Sequence, residues 1–428
     1  MSRVLVVGLG YVGLPLAVRA AEAGHSVIGV DTDVAKVASL NGGHSPVEDV
    51  SDIRLLGVLA RGSFRSARAR ENRGARYVAL DFDVGVVAVP TPLRDGEPDL
   101  RALEAATTLV GQHLLPGRLV VIESTTYPGT TERLMGAILE KESGLRVGTD
   151  FWLGYSPERI DPGNRVHTLV NTPKVISATT PEGLRAVRTF YDSIVDTTVS
   201  VSSPATAEFT KVFENVFSQV NIALVNELAT VAHEIGVNIW EVIDAATTKP
   251  HGFLRHTPGP GVGGHCLPVD PAYLSWLVRT ELGRGLRLSD TAQEINDAMP
   301  AYVAERAAGL LEPTGLAGAR VLVLGVAYKK GTGDLRETPA RPLVAALRAG
   351  GAAVDVSDPH VTDWESWIRS TGTGVIDGEE VVPGIDQYDL AIVCTDHDEF
   401  DYRKISRQAR RVLDCRNRIA PGPRVCAL

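Results

Sequence analysis

The sequence is poor in cysteine, with four in 428 residues: Cys266, Cys394, Cys415 and Cys426. None of them belongs to a C-x-x-C pair or shows the His/Cys spacing of a ligand set. The spacing therefore indicates neither a disulfide framework nor a structural zinc site. We expect a reducing compartment and no bound metal.

Long apolar runs and clusters of basic residues are also absent. No apolar stretch approaches membrane-spanning length, and the first predicted strand begins without a charged region and cleavage site before it. The formal net charge of −9 argues against a nucleic-acid-binding surface. We therefore expect a cytoplasmic protein without membrane or nucleic-acid partners. A hydrophobic content of 44% over this length is typical of a globular chain with two or three domains.

The N-terminal segment has the pattern of a dinucleotide-binding unit. An apolar run over residues 4–7 predicts a buried strand, which Gly8-Leu-Gly-Tyr-Val-Gly13, a helical stretch and a second strand ending at Asp31 follow. Glycines in this context admit a pyrophosphate, and the acid can bind the adenosine ribose. Thr32 follows Asp31, with no arginine for a ribose phosphate, so NAD is favoured over NADP. The candidate cofactor contacts here are Gly8, Gly10, Tyr11, Val12, Gly13, Asp31 and Lys36.

Two later predicted strands end in hydroxyl side chains. Residues 84–89 are followed by Pro-Thr-Pro, and residues 119–122 by Glu-Ser-Thr-Thr. Ligands bind at the carboxyl ends of strands in an open α/β sheet, which makes Thr91 and Thr125 candidates for cofactor contacts. An ST-turn or a helix cap would explain either threonine equally well.

Residues 204–247 differ from the preceding region, and a helical pattern begins at Pro204 and continues for about eight turns. Lys211 and Asn215 are four residues apart and share one face, where they can point at the same oxygen. Apolar neighbours on nearly all sides predict a buried helix, in which both polar groups need partners; these neighbours are Phe209, Val212, Phe213, Val216 and Phe217. Two flanking domains cannot cover so many apolar faces, so we also expect an obligate homodimer.

Residues 259–271 read Gly-Pro-Gly-Val-Gly-Gly-His-Cys-Leu-Pro-Val-Asp-Pro. Glycines before Cys266 let small substrates reach the sulfur, and prolines on both sides of Asp270 stiffen the turn. We expect a loop that presents a thiol beside a carboxylate. The alternative is an ordinary inert cysteine. The lysine and amide on the preceding helix favour the nucleophile.

The last region, from about residue 317, starts again with a strand over 320–324. Its loop carries Lys329, Lys330 and Arg336 in place of a full GxGxxG, which suits a nucleoside diphosphate better than a second dinucleotide. Cys394 and Cys415 fall in or beside later strands and are expected in the core. The pattern predicts an α/β protein with two Rossmann-like doubly wound domains (1–203 and 317–428), joined by a helical region (204–316).

Taken together, these motifs resemble the UDP-glucose/GDP-mannose dehydrogenase family. The resemblance rests on Gly8–Gly13, Lys211-x-x-x-Asn215, Gly263-Gly-His-Cys266-x-x-x-Asp270, and residues 325–337, in this order. It implies an N-terminal NAD domain, a central dimerising helix and a C-terminal nucleotide-sugar domain, with the active site in the cleft between them. It also implies a four-electron oxidation of the sugar C6 alcohol to the carboxylate, with two NAD used in turn.

The resemblance also implies roles for individual residues. Cys266 would form a thiohemiacetal and then a thioester, Lys211 and Asn215 would stabilise the C6 oxyanion, and Asp270 would hold water and take up protons. Glu158 corresponds to the group that positions water, and Thr125 corresponds to a group on the nicotinamide side. Gly263 and Lys329 would contact the substrate, and Arg336 would reach the cofactor phosphates. Lys249 would contact the substrate of a neighbouring subunit.

Two departures from the family pattern bear on the substrate. Pro162 and Val269 stand where glucose-type members often carry a glutamate and a lysine, which makes the chain more similar to the bacterial branch that oxidises UDP-N-acetylhexosamines. UDP-glucose and a dTDP-sugar stay open.

Two other functions are less consistent with the motifs. A 6-phosphogluconate or β-hydroxyacid dehydrogenase shares the Rossmann domain and Lys-x-x-x-Asn, but it needs neither Cys266 nor residues 317–428. A non-catalytic NAD or nucleotide-sugar sensor has no need for a positioned thiol, lysine and aspartate together.

Overall fold

The computed structural model describes residues 1–69, 80–160, 164, 166–362, 364–375 and 384–428. The chain forms two compact units, residues 1–214 with 272–280 and residues 215–271 with 281–428. Among the helices of these described residues, none is both long and apolar enough to cross a membrane.

The first unit is built on a mostly parallel sheet. Its strands are β1 (Arg3–Val7), β2 (Ser26–Asp31), β3 (Phe64–Arg68), β4 (Val84–Val87), β7 (Leu119–Ile122), β8 (Trp152–Tyr155), β9 (Lys174–Ala178) and β10 (Thr198–Ser200), with β5 (Leu93–Arg94) and β6 (Glu97–Pro98) in a separate hairpin. The strand order is β10-β9-β8-β7-β4-β1-β2-β3, and the β8–β9 pair is antiparallel. Strands β4 and β7 are buried along their whole length, as continuous apolar runs require in a sheet covered on both faces.

Helices pack against this sheet. They are α1 (Gly13–Glu22), α2 (Val34–Asn41), α3 (Asp52–Ala60), α4 (Arg101–Gln112), a π-helix (Thr131–Met135), α5 (Gly136–Ser143) and α6 (Pro181–Tyr191). Three of them begin at N-caps that the sequence supplies: Asp33 for α2, Ser51 for α3 and Thr180 for α6.

The second unit contains a wholly parallel sheet of six strands. They are β11 (Arg320–Leu324), β12 (Ala353–Ser357), β13 (Gly374–Val375), β14 (Leu390–Val393), β15 (Val412–Asp414) and β16 (Val425–Ala427), in the order β13-β12-β11-β14-β15-β16. Its helices are α8 (Ile239–Thr247), α10 (Arg287–Leu310), α11 (Ala340–Ala349), α12 (Trp364–Thr371), α13 (Tyr402–Gln408) and a 3-10 helix (Ile385–Gln387). Cys394 and Cys415 are fully buried in its core, as predicted. The mostly parallel first sheet and the parallel second sheet, each with its helices, confirm the predicted fold class.

Helix α7 (Pro204–Glu234) has 31 residues, in agreement with the predicted helix of about eight turns from Pro204. It ends before Gly236, whose φ of +74° lies in the left-handed region, and Asn238 then caps α8. The region 204–247 therefore contains two helices.

Helix α7 is buried on only part of its surface in the single chain, where the flanking domains were not expected to cover every apolar face. Phe209, Phe213 and Phe217 are 46%, 60% and 44% exposed, whereas Val212 is fully buried. A period of 3.6 residues places the three phenylalanines on one face of the helix, where Leu224 and Leu228 are exposed as well. We call these five residues the apolar face of α7.

Helix α9 (Cys266–Leu282) changes the predicted context of the thiol. Cys266 is exposed, as expected, but it opens a helix rather than lying within a stiff loop. Pro268 is tolerated because amides of the first helical turn have no partner within the helix, and Pro271 lies inside the helix. Cys266 and Asp270 are thus one helical turn apart.

Candidate active site

The three glycines of the first loop have different reasons for lacking a side chain. A Cβ at Gly8 would lie 2.3 Å from the Ala88 carbonyl oxygen, and one at Gly13 would lie 1.9 Å from the Gly8 carbonyl oxygen. Packing therefore demands both residues. Around Gly10 there is nothing within 4 Å. That open space, just before the N-terminus of α1, fits the close approach of a dinucleotide phosphate.

The other residues predicted for this loop take supporting positions. Tyr11 packs against the core of the first unit, and Val12 is the N-cap residue of α1.

Asp31 at the end of β2 is buried and already accepts three hydrogen bonds. Its donors are the Leu9 amide (2.9 Å), the Asp33 amide (2.9 Å) and the Lys36 ammonium (2.9 Å). Burial by itself would raise the pKa of Asp31, but these donors outweigh it and hold the pKa below its usual value. An ionised carboxylate has about four acceptor positions, so one is left for a ribose hydroxyl.

The hydroxyls predicted at the ends of β4 and β7 have different roles. Thr91 is buried, and its hydroxyl donates to the Thr125 carbonyl oxygen at 2.9 Å, which ties the two strand ends together. Tyr273 adds to this by donating to the Thr91 carbonyl oxygen at 2.6 Å. The Thr125 hydroxyl makes no hydrogen bond within the described residues and is half-buried. Of the two, Thr125 has the hydroxyl that can serve a ligand.

Glu208 on α7 holds the segment after Thr125, and sequence reasoning missed it. Its side chain is fully buried and accepts from the amides of Gly129 (2.5 Å) and Thr131 (2.8 Å) and from the hydroxyls of Thr131 (2.7 Å) and Thr126 (3.3 Å). Burial raises the pKa of Glu208, although these donors oppose that effect.

Glu158 follows β8 in the first unit and is almost completely buried. Its Oε1 accepts from the amides of Arg159 (2.6 Å) and Ile160 (2.7 Å), while its Oε2 accepts from Lys174 at 2.9 Å. Three donors fix the orientation of this carboxylate.

Lys211 and Asn215 are both buried, as predicted. Asn215 Nδ2 donates to Asp270 Oδ2 at 2.6 Å, so the amide of α7 and the carboxylate of α9 form one pair. Among the described residues, Lys211 makes no hydrogen bond or ion pair. A buried ammonium of this kind is suited to an oxyanion of a ligand.

The buried polar face of α7 extends beyond these two residues. Glu208, Gln219 and Asn226 are fully or nearly fully buried and lie on the same face as Lys211 and Asn215. Asn226 Oδ1 accepts from the Gly259 amide at 3.0 Å, which anchors the start of the cysteine segment. The spacing 208, 211, 215, 219, 226 is the sequence signal that could have revealed the whole face.

The glycines before Cys266 have a packing role that sequence reasoning missed. A Cβ at Gly263 would lie 2.7 Å from the Tyr328 Cβ, and one at Gly264 would lie 2.6 Å from the Tyr328 ring. The Gly264 amide also donates to the Arg336 carbonyl oxygen at 3.0 Å. These glycines let the loop after β11 pack against the cysteine segment, so open access to the sulfur is not needed to explain them.

His265, next to the thiol, is neutral at physiological pH. Burial, together with the charge of Arg336, lowers its pKa to about 4. It therefore supplies no positive charge to a thiolate.

Other predicted substrate and cofactor contacts lie in the second unit. Arg336 forms a bidentate ion pair with Asp334, with N–O distances of 2.6–3.0 Å, and Lys329 is half-buried in the loop after β11. Lys249 is exposed after α8, and Val269 is buried within α9. Pro162 lies outside the described residues.

A further polar cluster organises the loop after β11. Asp358 accepts from the amides of Val326 (2.7 Å) and Ala327 (2.9 Å) and pairs with His397 Nε2 at 3.0 Å. His397 Nδ1 accepts from the Gly331 amide at 3.1 Å. Although His360, His397 and Glu399 are close enough to hold a metal ion, both ring nitrogens of His397 are already used, so the geometry favours a hydrogen-bonded support.

The family of the chain follows from comparison with known proteins. Three models of the UDP-glucose/GDP-mannose dehydrogenase family match it: the NAD binding domain at residues 2–195, the central domain at 205–298 and the UDP binding domain at 322–421. They indicate NAD as cofactor and a nucleotide sugar as substrate.

Individual relatives agree with these models. The chain is 37% identical to the UDP-N-acetyl-D-mannosamine dehydrogenase of Pyrococcus horikoshii (98% of this chain, 97% of the relative) and 36% identical to the UDP-N-acetyl-D-glucosamine 6-dehydrogenase of Pseudomonas aeruginosa (93% and 91%). A solved structure of a UDP-D-ManNAc dehydrogenase from Pyrococcus horikoshii has a TM-score of 0.87 and 35% identity, over 99% of this chain and 98% of that one. The chain therefore belongs to the UDP-glucose/GDP-mannose dehydrogenase family, as an NAD-dependent nucleotide-sugar dehydrogenase.

Proposed function

We propose that this enzyme oxidises the C6 alcohol of a UDP-N-acetylhexosamine to the uronate in two steps through a thioester on Cys266. The observation that carries the proposal is the exposed thiol at the first residue of α9, one turn from an Asp270 carboxylate that Asn215 holds at 2.6 Å. The N-terminus of a helix stabilises negative charge, so this position favours a reactive thiolate. Relatives named for N-acetylated sugars support the substrate class.

Each group has a defined task in this scheme. When bound, NAD accepts one hydride from C6 in each of two rounds. In the first round Asp270 takes up the proton of the C6 hydroxyl and releases it to water, and the Cys266 thiolate then adds to the aldehyde carbon and forms a C–S bond. The Lys211 ammonium stabilises the resulting oxyanion, and Asn215 can add its second amide hydrogen because only one is bound to Asp270.

The thioester formed after the second hydride loss is then hydrolysed. Water adds to its carbonyl carbon, the C–S bond breaks, and the thiolate of Cys266 leaves as the carboxylate forms. Asp270 takes up the proton that the water releases. Glu158 orients this water through its one remaining acceptor position, since three donors occupy the others.

The cofactor and nucleotide contacts are also proposals. We assign the adenosine ribose to Asp31, the pyrophosphate to residues 8–13, and the nicotinamide side to Thr125. Lys329 and Gly263 contact the sugar, and Arg336 reaches the cofactor phosphates after exchanging its bond with Asp334. We keep the predicted division into residues 1–203, 204–316 and 317–428, which the three matched ranges support.

We further propose a homodimer built on the apolar face of α7. Its five members are each between 44% and 60% exposed in the single chain, and a second copy of the helix would cover them. Lys249, exposed after α8, is the proposed contact with the substrate of the neighbouring subunit.

Product stoichiometry tests the chemistry. We expect two NADH and one uronate per sugar, and Cys266→Ala should keep NAD binding but form no carboxylate. Cys426→Ala, at the other cysteine that is not fully buried, is the matched control and should behave as wild type. One NADH per sugar with release of free aldehyde, or an active Cys266→Ala enzyme, would contradict the thioester route.

A substrate panel tests the sugar and the base. UDP-N-acetylglucosamine, UDP-N-acetylmannosamine, UDP-glucose and dTDP-glucose are compared by kcat/KM at saturating NAD. We expect the highest kcat/KM with an N-acetylated UDP-sugar. A higher value for UDP-glucose or dTDP-glucose would overturn the assigned substrate while leaving the chemistry intact.

A further inference from the structure

A buried charge cluster lies behind Glu158 in the first unit. Lys174, the first residue of β9, is 2% exposed and bridges two carboxylates, with its Nζ 2.9 Å from Glu158 Oε2 and 3.2 Å from Glu123 Oε1. The Tyr191 hydroxyl donates to the same oxygen of Glu123, and its ring lies 5.5 Å from the lysine Nζ. No task in the chemistry above uses Lys174, Glu123 or Tyr191.

The charges of this cluster do not balance if both carboxyl groups are ionised. One ammonium would then face two anions away from water, which is costly. Burial raises the pKa of Glu123, and it is the fully buried member of the carboxyl pair. Its Oε2 has no hydrogen-bond partner among the described residues, a position that an anion tolerates less well than a neutral acid. Burial therefore favours the protonated form of Glu123.

The surroundings of Lys174 favour the charged form of its side chain. Burial alone would lower the pKa of Lys174, but the nearby carboxyl groups outweigh this effect and raise it. The shorter of the two contacts that its Nζ makes is to Glu158, at 2.9 Å against 3.2 Å to Glu123. The two backbone amides on Oε1 and the ammonium on Oε2 fix the orientation of the Glu158 carboxyl group.

We propose that Lys174 is a positioning residue for the oxidation, which holds the Glu158 carboxylate in the orientation that the attacking water needs, and that Glu123 holds the Lys174 ammonium in place from the other side. The inference rests on the proposed role of Glu158 in orienting water. Lys174 and Glu123 act through Glu158 and touch neither substrate nor cofactor.

The test compares pH profiles of kcat at saturating substrate and NAD. Without the ammonium, Glu158 binds a proton more readily, so Lys174→Met should lower kcat at neutral pH about tenfold and move the acid limb up by about one pH unit or more. Lys174→Arg restores a cation and should return most of kcat and the position of that limb. Glu123→Gln removes one of the carboxyl groups that raise the pKa of Lys174, so the ammonium should be lost at lower pH and the alkaline limb should move to lower pH.

Controls separate a positioning role from a loss of structure. Lys141→Met, on the exposed side of α5, should leave the pH profile unchanged. NAD binding and thermal unfolding show whether each variant is folded. If Lys174→Met does not fold, the decision rests on Lys174→Arg and Glu123→Gln, which keep the size of the side chain.

Three outcomes would overturn the inference. A folded Lys174→Met enzyme whose profile overlays that of wild type would exclude the role of Lys174, and an unmoved alkaline limb in Glu123→Gln would exclude the role of Glu123 in holding Lys174. A fully active Glu158→Gln enzyme would instead refute the role of Glu158 in the proposed function and the inference with it. An inactive Glu158→Gln with an unaffected Lys174→Met would refute the inference alone.

Discussion

Removal of the Glu208 carboxylate is expected to destabilise the first unit strongly. Glu208 is the buried acceptor for the segment that follows β7 and Thr125. In Glu208→Ala the amides of Gly129 and Thr131 lose their acceptor, and water cannot replace it without opening the packing. The two hydroxyls on the same carboxylate can rotate toward other acceptors, whereas the amides cannot.

The magnitude follows from the two amides. Each buried donor left unpaired costs about 1–3 kcal/mol, so Glu208→Ala should lower the free energy of unfolding by about 2–6 kcal/mol. Glu208→Gln keeps one oxygen, which serves the Thr131 amide, but places an NH2 group against the Gly129 amide. We expect about 1–3 kcal/mol for that variant.

Denaturant unfolding at constant pH, followed by far-UV circular dichroism, measures both variants. Glu132→Ala, an exposed glutamate of the neighbouring π-helix, is the matched control and should lie within about 0.5 kcal/mol of wild type. We also expect a raised KM for NAD, since the segment anchored by Glu208 carries Thr125. A Glu208→Ala protein as stable as the control would refute the reasoning, because it would mean that the amides find other partners.

Two further predictions concern the cofactor and the assembly. Asp31→Ala should weaken NAD binding by about 1–3 kcal/mol, because one charge-assisted hydrogen bond is lost. Isothermal titration with both cofactors should also show a smaller preference for NAD over NADP. An unchanged preference would mean that the carboxylate accepts only from its three protein donors. Phe213→Glu should yield monomers of low activity in sedimentation experiments, because Phe213 is the most exposed member of the apolar face of α7. A fully active monomer would contradict the proposed dimer.

Local patterns in the sequence predicted the elements that depend on neighbouring residues. Strands β1, β2, β7 and β11 lie within a residue of their predicted bounds, because short apolar runs between turn signals indicate buried parallel strands. Gly8 and Gly13 were recognised by spacing, and the structure supplies their steric reason. Lys211, Asn215, Cys266 and Asp270 were also identified, since unusual polar residues in apolar or glycine-rich segments stand out.

Partners across the fold could not be predicted in this way. No sequence pattern distinguishes Lys174 from other residues at the start of a strand, or Glu208 from other glutamates on a helix. Their importance arises because β9 lies beside β8, and because α7 passes the segment after β7. Likewise, the glycines at 263 and 264 are explained by Tyr328, more than sixty residues later.

The sequence by itself determined the two parallel sheets, the dinucleotide loop and the candidate nucleophile, since each depends on periodicity or spacing within some thirty residues. Only the tertiary structure decided which carboxylates are paired, which face of α7 is exposed and why particular glycines are required. These properties depend on burial and hydrogen bonding between segments that are distant in sequence, and a local sequence pattern does not show which of these segments are in contact.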